Sequence, residues 1–432
     1  MMRFPKAPTA ALFLWLCASC SSSVLTDYPE DAWLGLDAFE HGEFSYAADE
    51  FSTLTGTRGS NEFLAHAEAG MAHHVDGNLE GSTREWLAAL RVVQGFKDRP
   101  TVSGRSLSEG ALSMLVNDKT IPYDGEGFEV VLLHSFLAWD YLRLGKLSDA
   151  MVEIKRGYEF EQFEKDRYDN TTGMNRFGRF IAALAQDVDG QYNDARIDLD
   201  ILAKQIPNHP AVVYSKKRIQ RLLSSERGKE LAFSEIVVVF ENGTMPEKVA
   251  EEITYSTKRS FGRISVPRFS TVVGRTRRLQ VEVAEQSVGM TTSLENVNQV
   301  GRNNLNDRVA WMTTKALLRS AAKTIIIDGV AEEVEDEHGE WAGILVGLAG
   351  SFLNVYSESA DLRSWLTLPH DIQVLRARVK LGEHRILVHT GNNSPLDLGI
   401  YSFQAGTPVM ISVRAIGNQL YASPRALSDP LP

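Results

Sequence analysis

Cysteine is almost absent from this chain of 432 residues: there are two, Cys17 and Cys20, both within the first twenty positions. The body of the protein therefore has no pair to oxidise, even in a compartment that would permit disulfides. Long apolar runs are missing too. Nowhere do ~20 consecutive apolar residues occur, which excludes a multispan membrane protein. Basic residues are outnumbered, with 45 Lys and Arg against 56 Asp and Glu and a net charge of −11. A general nucleic-acid binder needs the opposite balance to neutralise phosphates. No H-E-x-x-H, G-x-S-x-G, P-loop or dinucleotide fingerprint occurs. The chain thus reads as a non-enzyme with no metal and no cofactor. At 43% hydrophobic and 23% charged residues it is a globular chain, long enough for two or three domains.

Residues 1–19 read as a secretory signal. Arg3 and Lys6 supply its positive start, and Ala10 to Leu16 supply an apolar stretch too short to remain as a bilayer anchor. The small pair Ala18-Ser19 precedes Cys20, and Ser21-Ser22-Ser23 follow. This arrangement resembles a bacterial lipobox, although Cys17 stands where Leu, Val or Ile is usual. The resemblance implies cleavage before Cys20 and acylation of its sulfur (palmitate among the chains). A serine at the next position implies sorting to the outer membrane, with the body in the periplasm. The alternative is an ordinary cleaved signal with a spare cysteine. On the lipobox reading, residues 20–28 are a lipidated tether. Residues 20–229 carry a net charge of −10 and residues 230–432 a net of −3, so attachment is expected to rest on the lipid rather than on a basic patch.

A phrase recurs through residues 29–228. Gly42 is followed five residues later by Ala47, Gly145 by Ala150 and Gly190 by Ala195; Gly77 opens a weaker copy with Ser82 in the alanine's place. Seven residues before each glycine stands a small residue: Gly35, Gly70, Ala138 and Ala183. The later glycine suits a chain turning out of a helix, and the small residues suit close helix approach. The spacings are 35, 68 and 45 residues, so two of them fit a period near 34. Leu34-Gly35, Phe44, Ala47 and Phe51 resemble the tetratricopeptide repeat, as do Leu137, Tyr141 and Ala150, and Tyr192, Ala195 and Pro207. Unrelated antiparallel helices with the same small-residue packing remain the alternative. Stacked repeats form a concave groove. If the alignment holds, the first helix of each pair lines that groove, and His74, Trp139, Arg143, Phe180 and Asp187 are candidate contacts to a partner.

Residues 96–129 interrupt the repeat, and a helix is expected to resume at Phe128. Asp118, Asp124, Glu126 and Glu129 could serve acid–base chemistry on wall polymers. The plainer reading is a turn at Asp124 and a helix N-terminus favoured by the two glutamates. The stretch Asn117-Asp118 … Tyr123-Asp-Gly-Glu-Gly-Phe-Glu129, the run His134 to Gly145, and Arg363-Ser-Trp-Leu-Thr-Leu-Pro369 are similar to an uncharacterised family of bacterial lipoproteins with tetratricopeptide-like helices. That resemblance implies no reaction.

After Gly228 the texture changes. Glu235–Phe240, Arg278–Val283, Arg376–Leu381, Arg385–Val388 and Val409–Arg414 read as strands. Helices are expected at 305–322 and 341–356, within an insertion spanning about 303–358. The second is almost wholly apolar, with Gly343 and Gly347 four apart; it reads as a helix covering the sheet, or else as a membrane- or partner-inserting hairpin. The acidic run 332–338 lacks the alternating ligands of a Ca²⁺ loop and reads as solvated. The fold expected is α+β: a helical-repeat domain over 29–228, then a β-rich antiparallel domain over 229–432 with inserted helices. The function expected is a periplasmic scaffold or adaptor binding envelope protein partners; a glycan- or peptide-binding module and a wall-active hydrolase are the alternatives.

Overall fold

The repeat glycines close the first helix of each pair. In a computed structural model, which describes residues 28–55, 61–97, 122–168, 175–256, 261–271, 277–309, 360–391 and 393–422, the helices are α1 (Tyr28–Asp31), α2 (Trp33–Glu40), α3 (Phe44–Thr53), α4 (Glu62–Asp76), α5 (Leu79–Lys97), α6 (Gly127–Arg143), α7 (Leu147–Tyr168), α8 (Arg176–Val188), α9 (Tyr192–Gln205), α10 (Pro210–Leu222) and α11 (Arg227–Glu230). Gly42, Gly77, Gly145 and Gly190 follow α2, α4, α6 and α8 with φ between 73° and 84°. An L side chain resists that region by about 1–2 kcal/mol. At all four, the next residue's N–H reaches back to the carbonyl five positions earlier: Glu43 to Ala38, Asn78 to His73, Lys146 to Tyr141 and Gln191 to Gln186, at 2.8–2.9 Å. This is the Schellman closure of a helix C-terminus. The signal segment and Cys20 lie outside the described residues.

The upstream small residues allow each pair to close. A Cβ on Gly35 would stand 2.6 Å from the Phe51 ring, and one on Gly70 would stand 2.3 Å from the Trp86 indole. Phe51 and Trp86 each lie sixteen positions after their glycine, and the matching residues after Ala138 and Ala183 are the buried Ile154 and Leu199. Ala47, Ser82, Ala150 and Ala195 are buried at the same joint of each repeat. The helix expected at Phe128 starts at Gly127, with Glu126 at its N-cap. There Glu129 accepts the Glu126 N–H at 2.9 Å, one half of a capping box.

The remaining chain is rich in strands, which makes the whole α+β as expected: β1 (Ser234–Asn242), β2 (Lys248–Ser256), β3 (Phe261–Phe269), β4 (Leu279–Val283), β5 (Gln286–Met290), β6 (Thr292–Glu295), β7 (Asp371–Val379), β8 (Gly382–Thr390), β9 (Leu396–Phe403), β10 (Pro408–Ile416) and β11 (Gln419–Ala422). A further helix, α12, occupies 297–309, starting eight residues before the expected Leu305. Residues 310–322 of the expected helix, the acidic run and the apolar stretch 341–356 lie outside the described residues. A five-stranded sheet runs β11-β10-β1-β7-β6, a four-stranded sheet runs β5-β4-β8-β9, and β2-β3 form a separate hairpin. One pair departs from the antiparallel pattern of the other strands: β1 and β10 pair in parallel. Parallel neighbours need a crossover, and here it is everything between Asn242 and Pro408, the second sheet included.

Strand β1 is buried along its whole length because it is covered on both faces. Ile236, Val238 and Phe240 join Leu279, Val281, Ile386 and Val388 in a core between the two sheets. Val237 and Val239 point the other way, with Val374 and Met410, into the core shared with Phe136, Trp139 and Phe180 of the helices. The layers are therefore helices, five-stranded sheet and four-stranded sheet. The boundary expected at 228/229 falls inside α11, and one core crosses it.

The close approach at Gly70 carries a testable consequence. Gly70→Ala should lower unfolding stability by about 1–3 kcal/mol, because the added methyl displaces a fully buried indole. Urea denaturation of the variant against the parent measures it.

Candidate functional site

The face that the five-stranded sheet turns toward the helices is apolar at its centre and charged at both ends. On β1 that face carries Glu235, Val237, Val239 and Glu241; on β10 it carries Met410, Ser412 and Arg414; on β7 it carries Ile372, Val374, Arg376 and Arg378. The pairing register sets Glu241 beside Arg414 and Glu235 beside Arg378. Helices α4, α6 and α8 bring polar side chains to meet these ends.

At one end, His74 of α4 lies between two carboxylates. Its Nδ1 is 2.8 Å from Asp140 of α6 and its Nε2 is 2.8 Å from Glu241 of β1, and all three side chains are fully buried. Ionised carboxylates only accept, so both ring nitrogens must donate and the imidazole is held as the cation. Burial alone would depress its pKa, but Asp140 and Glu241 outweigh that and raise it to about 9. Ser82 donates to the other Asp140 oxygen, Arg143 lies 3.4 Å from Asp140, and Arg414 lies 3.4 Å from Glu241. The Arg414 guanidinium also donates to the carbonyls of Gly243 and Thr367 at 2.7 and 2.6 Å. Ser82 bonds the aspartate rather than the histidine, and no lone pair remains on the ring. The group is not a nucleophile–base pair of the acyl-transfer kind.

At the other end, Asp187 of α8 accepts from Arg218 of α10 at 2.9 Å and from Arg376 of β7. Glu235 takes Arg376 at 2.7 Å, Arg218 at 3.0 Å and the Tyr214 hydroxyl at 2.6 Å. Glu230 gathers Arg221 and Arg378. Between the two ends, Trp139 donates its indole N–H to Ser412 at 2.7 Å.

A third cluster ties in the segment 360–369. Glu68 accepts the N–H groups of Leu366 and Thr367 at 2.8 and 3.0 Å, and the Thr367 hydroxyl. Glu129 accepts Trp365 N–H at 2.8 Å and the Tyr123 hydroxyl at 2.7 Å. Glu126 holds Lys248 and Arg308, both at 2.7 Å. The stretches 123–129 and 363–369, singled out separately in the sequence, therefore meet. Burial pushes Glu68 up to about 7 against those donors. For Glu126, burial is overcome by Arg308 and Lys248, which hold it down at about 2. Glu295 of β6 caps α8 by accepting from Arg176 and Phe177 N–H at 2.6 and 3.1 Å, and burial pushes it also to about 7.

The expected groove contacts need correction. His74, Trp139, Arg143, Phe180 and Asp187 are all buried, between 0% and 4% exposed. His74, Trp139 and Asp187 bond directly to the chain's own sheet, and Phe180 packs in the shared core. The concave side that a helical array offers is already filled. The carboxylates considered for wall hydrolysis fare similarly: Glu126 and Glu129 are buried and bound, while Asp118 lies outside the described residues. Glu68, Asp140, Glu241 and Arg414 escaped notice in the sequence. Their signal was an ionisable residue set in an apolar run, as Glu68 is between Ala67 and Ala69. Among the described residues no cluster of His, Cys, Asp and Glu has the arrangement of a metal site, and no helix is long and apolar enough to cross a membrane. A cleft of about 460 Å³ opens beside α1, lined by Pro29, Glu30, Trp33, Glu247, Lys248 and Leu362.

The His74 bridge predicts a pH dependence with a definite sign. A folded pKa of about 9, raised above 6.5, contributes stability that is complete below pH 6.5 and lost as pH rises through 9. The raised Glu68 and Glu295 lose their contribution earlier, between 4.5 and about 7. Urea midpoints should therefore fall between pH 7 and 9. That fall should vanish in His74→Gln, which should itself cost about 3–5 kcal/mol by stranding two buried carboxylates.

No protein-family model, no curated protein and no solved structure matches this chain.

Proposed function

We propose that the chain is a cell-envelope lipoprotein, held at the periplasmic face of the outer membrane by acylated Cys20, whose body is a rigid scaffold or adaptor for an envelope protein partner. The observation that carries the scaffold reading is the occupation of the inner side of the helices by the chain's own sheet through buried charge. Such a body does not open to clamp a peptide; it offers its outer surfaces. One of these is the cleft at Trp33, whose side chain is 56% exposed, with Leu34 beside it at 47%. Exposed aromatic and aliphatic side chains rimmed by carboxylates, here Glu30 and Glu247, are the composition of a protein-docking surface. The first residue of the cleft, Pro29, lies nine positions after Cys20, so a partner held there would lie close to the anchor. The hydrolase alternative has no support from Glu126, which is held ionised between two cations.

Two measurements test this. Mass spectrometry of the mature protein should find an acylated N-terminal Cys20; an unmodified sulfur would remove the anchor. A photo-crosslinking residue at Trp33 should join one envelope protein in fixed stoichiometry in intact cells, and the same residue at the exposed Ile197 should not. Equal capture from both positions, or none, would remove the docking role assigned to the cleft.

A further inference from the structure

The acidic excess of this chain is gathered near its start. Residues 20–83 hold twelve Asp and Glu and a single basic residue, Arg58, a net of −11. Residues 84–432 net only −2. From Tyr28 to Thr55, through α1, α2 and α3, there are seven carboxylates and no Lys or Arg. Glu30, Asp31, Asp37, Glu40, Glu43 and Asp49 are exposed. His41, 3.6 Å from Asp37, is the only side chain of this stretch that can carry a positive charge.

Apolar surface is exposed on the same helices. On α2, Trp33, Leu34, Asp37 and Glu40 follow one another at helical spacing and share one face, turned away from the buried Gly35, Ala38 and Phe39. Across the cleft stands Glu247, at the root of the β2–β3 hairpin. The lysine of the cleft does not neutralise these carboxylates. Lys248 is buried and bonded to Glu126 and to the Arg363 carbonyl, at 2.7 and 2.8 Å. Farther along the hairpin, Glu251 is paired with Arg268. Among the described residues no Lys or Arg pairs with Glu30, Glu40, Glu43, Asp49 or Glu247.

A face of this composition selects its occupant. Anionic lipid and other polyanions are repelled by it. A wholly apolar occupant would take water from Glu30 and Glu247 without replacing its hydrogen bonds. A guanidinium or ammonium group bonds carboxylates and is also attracted to the face of an indole, which Trp33 offers. The apolar stems of Arg and Lys suit the neighbouring Leu34 and Leu362.

We propose that the cleft and the exposed face of α2 take a Lys- and Arg-rich segment of the protein partner, its cations meeting Glu30, Glu40 and Glu247 and stacking on Trp33. This names the chemistry of the partner and rests on the docking reading above for its place. The concentrated negative charge would also speed the encounter with such a segment, an effect that salt weakens.

The test uses residues 20–432 with Cys20→Ser and a fluorescent peptide of alternating arginine and serine, read by anisotropy. It should bind at least about tenfold more tightly than a peptide of alternating glutamate and serine, and less tightly as salt rises. Glu30→Gln/Glu40→Gln/Glu247→Gln should weaken binding about tenfold, and Trp33→Ala about three- to fivefold. An equal change of charge on other exposed elements, Glu159→Gln/Asp194→Asn/Glu383→Gln, should stay within about twofold of the parent. All the substituted side chains are exposed, and thermal melting checks that each variant folds. Equal binding of the two peptides, equal losses in the cleft and control variants, or no loss in Trp33→Ala would overturn the proposal. So would self-association of the parent that the cleft variant abolishes, since the occupant would then be a second copy. Crosslinking from position 33 in cells keeps the two readings apart. A partner captured as well by the triple variant as by the parent leaves docking standing and removes the basic occupant. Absence of any capture removes the docking reading and this proposal with it.

Discussion

An ion taken out of water costs several kcal/mol unless an opposite charge and hydrogen bonds meet it at the same place. This protein gathers two of its buried charge clusters on one plane, the one between its helices and its larger sheet. His74 joins α4, α6 and β1 through two carboxylates, and Arg376 joins β7 to α8 and β1 through two more. Each group would be strongly destabilising alone. A slip of the helices by one turn, or of the sheet by one residue, would strand several of them together. The apolar centre of the plane holds the layers against each other without direction, and the charged ends define their register.

That register explains the fate of the inner surface of the helical array. A stack of helix pairs is open on its concave side and usually free to take a ligand. Here the sheet, delivered by the same chain, fills it, and the residues at contact positions make their contacts internally. The segment 360–369 is drawn into the same plane, strapped by Glu68 and Glu129 through its backbone N–H groups. The proposed docking therefore moves to outer surfaces, where the cleft at Trp33 and the root of the hairpin lie side by side.

Charge in this molecule has meaning at three scales. Summed over the chain it is acidic, which favours solubility and disfavours general polyanion binding. Summed over short segments it is strongly uneven: residues 258–278 hold seven basic side chains and no acidic one. At the scale of single buried pairs it is almost fully compensated. Only the last two scales bear on which surfaces can act, and neither can be read from the total.

Local rules determined a good deal from sequence alone. The spacing of Gly42, Gly77, Gly145 and Gly190 placed four helix ends, because a left-handed closure has a strong residue preference that needs no tertiary partner. Small residues before each glycine and alternation in the 278–283 and 376–381 runs marked joints and strands for the same reason. The hairpin β2–β3 and the short strands β5, β6, β9 and β11 were not legible, since their residues alternate weakly and their pairing partners lie elsewhere. Nor was the parallel pairing of β1 with β10, which a buried run of Val and Ile leaves undecided. The bridge of His74 to Asp140 and Glu241 spans 66 and 167 positions. No local pattern encodes such a contact: the tertiary structure alone decided it, because only the layered fold brings these charges close enough to neutralise one another.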